Sequence, residues 1–378
     1  MTCGNNDSSA IRGDQALMGF ENSSCDVTNG GLTPDVYGTA VDFNVFTEAK
    51  ICCEITPEFS SEEIEGRTIG CGGTTGFGTK CDAGKREYRV NLTGDLGFQT
   101  GFDRILAQAM GTVVNSGEVT AGQGDFCHIF SWNGDWDRHF GTLSFQITKN
   151  DIIELPSTFV ESFSISMDSL DSYITWNAKM VANDMVCDGT ETNDLTDLDA
   201  LAFTDDESVI ARCESYFLIK PVLDDGTDTA LDPLLDKFAI TNFELSVEKP
   251  HEVIAEMTGD VCNEPSQAGK PSGTFTIGIK ELVSNSFLSF CDWKDNITYQ
   301  AELVILGEQI NGGVNKEIRI RFPKLCMVET PTYGLADAGL NSYQVAFKVL
   351  DSNNTIPNFT SNGFEIVICN QRSTDYLV

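Results

Sequence analysis

REYRVNLTGDLGFQTGFDRILAQAMG, residues 86–111, is the stretch on which the reading of the whole chain turns. Tyr88, Val90 and Leu92 alternate with polar residues, the period of a half-buried strand. After a glycine-marked turn, Phe102, Ile105, Leu106, Ala109 and Met110 fall at i, i+3, i+4, i+7 and i+8. That spacing lays one apolar stripe along a helix, and Gly111 stands just past it, where a helix ends most easily. Strand, turn and short amphipathic helix make one unit.

Around this unit the patterning is β. Residues 1–40 are polar, with Gly30-Gly31 and Pro34 and little periodicity, and read as an N-terminal arm. VDFNVF, KICCEI and EIEGRTIG read as strands, and the Gly/Thr-rich CGGTTGFGTKCDAG as a loop. Downstream, TVVNSGEVTAGQGD reads as a second loop. HIFSW, GTLSFQITK, ESFSISMD and SYITWNAKMV read as strands, the last two a hairpin turning at Asp168–Asp171. Residues 187–207 are acidic and weakly patterned, as expected of a boundary or an exposed loop. Strands resume with ESYFLIKPVL, KFAITNFELSVE, EVIAEMTG and TFTIGI. They continue through ITYQAELVILG, KEIRIRF, KLCMVE and SYQVAFKVL to FEIVIC.

Composition sets the limits. A hydrophobic fraction of 41% over 378 residues supports a sizeable core, and 24 Phe with 34 Gly favour strands joined by turns over helices. The 24 basic residues against 57 acidic ones leave a net charge of −33. Such a surface cannot grip DNA or an anionic membrane by counterion release. No stretch approaches the ~20 apolar residues of a membrane span, and MTCGNNDSSAIRGDQ has no apolar core of a secretory signal. The 13 cysteines are therefore expected to be reduced, buried, small apolar residues.

The opening unit has a candidate copy. FTIGIKELVSNSFLSFCDW, ending at Trp293, is again an alternating strand, a turn and a short helix, with Phe287, Phe290 and Cys291 at i, i+3 and i+4. ESFSISMDSLDSYITWNAKMVAND is matched by TNFELSVEKPHEVIAEMTGD, and GTLSFQITK by EIRIRFPK. A repeat of this size changes the fold expected of a chain. The expectation is a mainly β protein of two tandem sandwich or barrel units, each flanked by one short α-helix. The first unit spans 41–187 and the second 188–378, joined by the acidic loop 187–207, with the arm 1–40 ahead of both.

No catalytic, cofactor-binding or metal constellation emerges. His128, His139 and His251 have no partner at i+3 or i+4, Cys52-Cys53 point apart on a strand, and Cys71 and Cys81 are too widely spaced for a knuckle. There is no Walker loop, dinucleotide fingerprint or nucleophile elbow. The acidic runs 188–207 and 224–232 lack the calcium-loop spacing.

The repeated units resemble a family, the tail tube (major tail) proteins of long, non-contractile-tailed bacteriophages. The segments that carry the likeness are EYRVNLTGDLGFQTGFDRILAQAMGT, FVESFSISMDSLDSYITWNAKMVANDM, NFELSVEKPHEVIAEMTGDV and KEIRIRFPKLCMVETPTYG, with GDQALMGFENSSCDVTNGG as a polar lead-in. The resemblance implies subunits that join edge to edge into rings, and rings that stack into a hollow tube passing genomic DNA without specific binding. Two units per chain imply three chains in a pseudo-six-fold ring, with a hexamer as the alternative. Implied partners are further copies and other tail proteins (terminator, tape measure, distal tail). The implied location is the virion, after assembly in the host cytoplasm, and no enzyme activity is implied. The helix stripes at Phe102–Met110 and Phe287–Cys291 are expected to be packing, and the loops 67–86 and 307–316 with the arm are expected to contact neighbouring rings. Competing readings are a single-ring tail terminator or baseplate hub, and a carbohydrate-binding or adhesin β-sandwich.

Overall fold

A computed structural model describes residues 17–22, 39–44, 49–65, 81–119, 124–132, 140–169, 172–187, 189–202, 215–252, 266–267, 269–279, 288, 290–310, 315–330, 332–334, 342–354, 356–373 and 376. The protein is mainly β. Its first half holds β1 (Met18–Asn22), β2 (Glu54–Glu65), β3 (Cys81–Asp95), α1 (Phe102–Met110), β4 (Gly111–Glu118) and β5 (Phe126–Trp132). Then come β6 (Gly141–Gln146), β7 (Ile152–Met167), β8 (Thr175–Ala182) and α2 (Leu195–Ala200). The second half runs through β9 (Tyr216–Val222), β10 (Lys237–Phe238), β11 (Asn242–Glu248), β12 (His251–Glu252), β13 (Ser266–Gln267) and β14 (Ser272–Ile279). It ends with α3 (Phe290–Lys294), β15 (Thr298–Gln309), β16 (Asn315–Met327), β17 (Thr332–Gly334), β18 (Ser342–Leu350) and β19 (Glu365–Asn370).

Two antiparallel layers enclose the core. The first runs β2-β3-β8-β7-β11-β14-β18, and the second β10-β9-β15-β16-β19-β5-β4. The long strand β16 joins them: its first half pairs with β19 and its second half with β18. Large aromatics meet between the layers, Phe275 with Phe322 at 4.5 Å and with Phe217 at 5.8 Å between ring centroids. Burying each such ring contributes roughly 1.5–3 kcal/mol. Two ladders, β7–β11 and β5–β19, join strands from either side of the expected 187/188 boundary.

In the first half α1 fills the interior. It packs against β7 on one side and β1, β4 and β5 on the other, and Phe102 stacks on Trp176 at 4.9 Å. Gly101 opens the helix at φ 88, where any Cβ would meet Ile51 Cγ1 at 2.5 Å and the Lys50 carbonyl oxygen at 2.7 Å. Gly111 closes it at φ 80, the left-handed cap expected of it.

Several expectations are corrected. Within the expected arm, Met18–Asn22 is a wholly buried strand paired with β6, because Phe20 and its neighbours complete the core beside α1; residues 1–16 and 23–38 lie outside the described residues. TVVNSGE is strand β4, not a loop, and KEIRIRF with KLCM is one strand, β16. The second helix is a single turn, Phe290–Lys294, with Cys291 exposed, and Phe287 of its expected stripe lies outside the described residues. Left-handed residues stand on both sides of it, Leu288 at φ 70 and Asn296 at φ 54, and neither conformation continues a helix.

The acidic segment is not simply an exposed loop. Asp194 caps α2 in a capping box with Asp197. The buried Glu154 carboxylate accepts hydrogen bonds from the Thr192 and Asn193 backbone N–H groups and from Asn193 Nδ2, tying 192–193 to β7. Nor are all cysteines reduced. Cys127 of β5 stands directly opposite Cys369 of β19, with Cα atoms 4.1 Å apart, and the two sulfurs are bonded.

Candidate functional site: a polar sheet face, an open edge and a buried clasp

The first layer has one apolar and one polar face, and the register carries the polar face unbroken from strand to strand. Thr56 of β2 stands opposite Asn91 of β3, Asn91 opposite Lys179 of β8, and Lys179 opposite Ser162 of β7. Ser162 faces Glu248 of β11, and Glu248 faces Ser272 of β14. Thr274 faces Lys348 of β18. The side chains on this face are mostly short: Ser162, Ser164 and Ser166 in one row, then Ser246, Thr274 and Thr276. Carboxylates outnumber cations, with Glu54, Glu58, Glu87, Asp95, Glu244 and Glu248 against Arg89, Lys179 and Lys348.

Two of those cations are engaged by acids. Arg89 Nη1 lies 2.7 Å from Glu161 Oε2, and Lys179 Nζ lies 3.7 Å from Glu58 Oε2. Burial pushes the Glu161 pKa up, against the pull of Arg89 and Lys179. At one end of this layer β2 pairs only with β3 among the described residues, so the other side of a 12-residue strand has no ladder partner among them. Such an edge is a template for another chain.

Behind the apolar face, α1 is buried all round, its polar residues included. The chain's end supplies the cover. Asn370 Nδ2 donates to the Phe98 carbonyl and to the Tyr376 hydroxyl, both at 3.0 Å. The Arg372 guanidinium sits 4.2 Å over the Tyr376 ring, and His128 Nε2 lies 2.8 Å from the Arg372 carbonyl. Asn22 Nδ2 donates to the carbonyls of Arg104 and Tyr376, and Arg104 pairs with Glu21. Burial raises the Asp103 pKa, and the Arg372 charge with the Tyr376 hydroxyl opposes that rise. Burial and the Asp103 charge push the Tyr376 hydroxyl well above its usual value. These groups are buried against one another, and their bonds tie α1 and the turn before it to β1 and to residues 370–376.

A second clasp lies at the far end of β9. Asp224, left-handed at φ 56, accepts from Lys324 Nζ at 2.7 Å, Ser352 Oγ at 2.7 Å and the Asn353 backbone N–H at 2.9 Å. Its burial opposes ionisation, but these donors outweigh it and hold the pKa down at about 2.

Of the expected ring-contact loops, Cys81–Arg86 belongs to β3, Gly307–Gln309 to β15 and Asn315–Lys316 to β16; residues 67–80 and 311–314 lie outside the described residues. Phe102–Met110 is core packing, as read from its stripe. Among the described residues one group has metal-ligand proximity, Cys127, Cys369 and Glu317. With its sulfurs joined it offers no thiolate. Among the described residues no helix is long and apolar enough to cross a membrane. No protein-family model matches the chain, and no curated protein matches it.

Proposed function

We propose that this chain is a non-catalytic structural subunit that polymerises as stacked rings into a phage tail tube, with the polar face of its first layer lining the channel. The observation that carries the reading is that face: a continuous row of seven strands, β2 to β18, with short hydroxyl side chains and an excess of carboxylates. A surface of that kind repels phosphates and offers DNA few long side chains to catch on. The edge of β2 that has no partner among the described residues supports assembly, because a ring that closes removes such edges. The β7–β11 ladder supports the two-unit reading, since it joins the halves as ring neighbours would be joined. Three chains would then complete a ring, in a virion assembled in the host cytoplasm. Electron microscopy of the concentrated protein tests this. Long hollow tubes are expected; isolated rings would move the reading to a tail terminator or hub, and monomers at every concentration would refute it.

A further inference from the structure

Three residues with metal-ligating side chains stand in one row across the second layer. Glu317 of β16 is in register with Cys369 of β19, and Cys369 with Cys127 of β5. The neighbouring row, Ile318, Ile368 and His128, is buried in the core, so the alternation of side chains turns Glu317, Cys369 and Cys127 to the outer face. Cys369 Sγ lies 3.6 Å from Glu317 Oε1, and the three ligand atoms all lie within 4.8 Å of one another. Cys127 and Glu317 are partly exposed, so small solutes reach the row from solvent.

Strand pairing, and not the bond between the sulfurs, brings these donors together. The ladder sets Glu365–Asn370 against Ser131–Phe126, and it continues into β16 on one side and β4 on the other. Opening the disulfide therefore leaves all three donors in place. Glu317 is also held in orientation. Arg319 Nε and Nη2 donate to its two oxygens at 2.8 and 2.9 Å, and Arg319 Nη1 lies 3.6 Å from Glu302. An ionised carboxylate has about four acceptor positions, so Oε1 keeps room for a cation while Arg319 fixes its direction. Zinc bound ~2.3 Å from two thiolates needs them about 3.8 Å apart. Cysteines whose Cα atoms are 4.1 Å apart reach that spacing by rotation about Cα–Cβ.

We propose that Cys127, Cys369 and Glu317 form a redox-gated site for Zn²⁺. Under oxidising conditions the two sulfurs are joined and the site is closed. Under reducing conditions two thiolates and one carboxylate oxygen take the metal, with water in the fourth position. A dithiol reductant supplies the two electrons that break the S–S bond. Its own sulfurs join, its two protons pass to Cys127 and Cys369, and Zn²⁺ then displaces those protons to solvent. The thiolate pair selects zinc over hard cations such as Mg²⁺ and Ca²⁺. Such a site has no need of the tube and stands or falls separately from it.

The test uses the full-length chain, reduced with a dithiol, freed of reductant without air and alkylated in the presence of Zn²⁺ or of a chelator. Mass spectrometry then reads each cysteine separately. Zn²⁺ is expected to protect both Cys127 and Cys369, and equal labelling of the pair in the two conditions would overturn the proposal. E317Q is expected to raise the Zn²⁺ concentration for half-protection about ten-fold or more; an unchanged concentration would overturn the three-ligand site. An unaltered melting temperature of unreduced E317Q separates a lost ligand from a misfolded chain, and the wild-type labelling decides without any variant. In the unreduced wild type both cysteines are expected to stay unlabelled with or without Zn²⁺, and labelling there would overturn the gating. Loss of the β signal in circular dichroism on reduction would overturn the proposal too, because the ladder would then not be what holds the donors.

Discussion

α1 and α3 began as the two expected copies of one helix, and they are built on opposite terms. α1 has nine residues and all of them are buried, while α3 is one turn with an exposed Cys291 and a partly exposed Trp293. The difference lies in what each half must fill. In the first half α1 stands between β7 and β4–β5, and a helix occupies the space between the layers. In the second half Phe217, Phe275 and Phe322 from facing strands already meet across that space. The burial of α1 follows from this layer geometry.

The sharpest way to break the comparison is to truncate at each helix. Tyr376→Ala removes a wholly buried ring and unpairs its neighbours over α1. We expect a loss of about 3–5 kcal/mol by denaturant unfolding. Cys291→Ala on α3 should stay within about 0.5 kcal/mol. Equal effects at the two sites would mean that α1 is no more deeply anchored than α3.

Charge within the α1 core comes next. Arg104→Met strands the buried Glu21 carboxylate, and such losses run to about 3–5 kcal/mol. The double variant Glu21→Gln/Arg104→Met should recover a large part of it, because no uncompensated charge remains. A double-mutant cycle measures this; additive losses would show that the two residues act independently.

Much of the first layer was legible, because one face is buried and the strands alternate cleanly: Phe163, Ile165 and Met167 in β7, Phe275, Ile277 and Ile279 in β14. The stripe of α1 was equally plain. Its polar side was not. Asp103, Arg104 and Gln108 lie off the stripe, yet they are buried, with β1 and residues 370–376, remote in sequence, packed beside the helix. The Cys127–Cys369 bond spans 242 residues, and only strand register brings the pair together. Two local signals were available: the Asp194–Asp197 capping box, and the leucine pair set between aspartates at 232–236. The first marks a helix start within an acidic run, the second an apolar pair with no periodic partner. The polar face was invisible for another reason, since only the register shows that Ser162, Glu248 and Ser272 are neighbours.

A smaller effect separates two aspartates, the part-buried Asp224 and the buried Asp103, by sign. The Asp224 pKa in the fold, about 2, is below its unfolded value. Its contribution is therefore full above about pH 4 and is lost as pH falls toward 2. Asp103 is shifted upward by burial, so its ionised form is disfavoured in the fold. That penalty applies above its folded pKa and is relieved as pH falls through it. In acid titrations of stability, Asp224→Asn should flatten the limb between about pH 4 and 2. Asp103→Asn should remove a change of opposite sign at higher pH. Identical pH profiles for wild type and both variants would contradict the assignment.

The claim with the widest consequences is that the two unlike halves serve as successive units around one channel. Averaged electron-microscopic cross-sections of assembled tubes test it most directly. The account predicts three chains per ring in a pseudo-six-fold outline, with the serine-rich face of β7, β11 and β14 turned to the lumen. Six equivalent chains per ring, or that face turned outward, would contradict it.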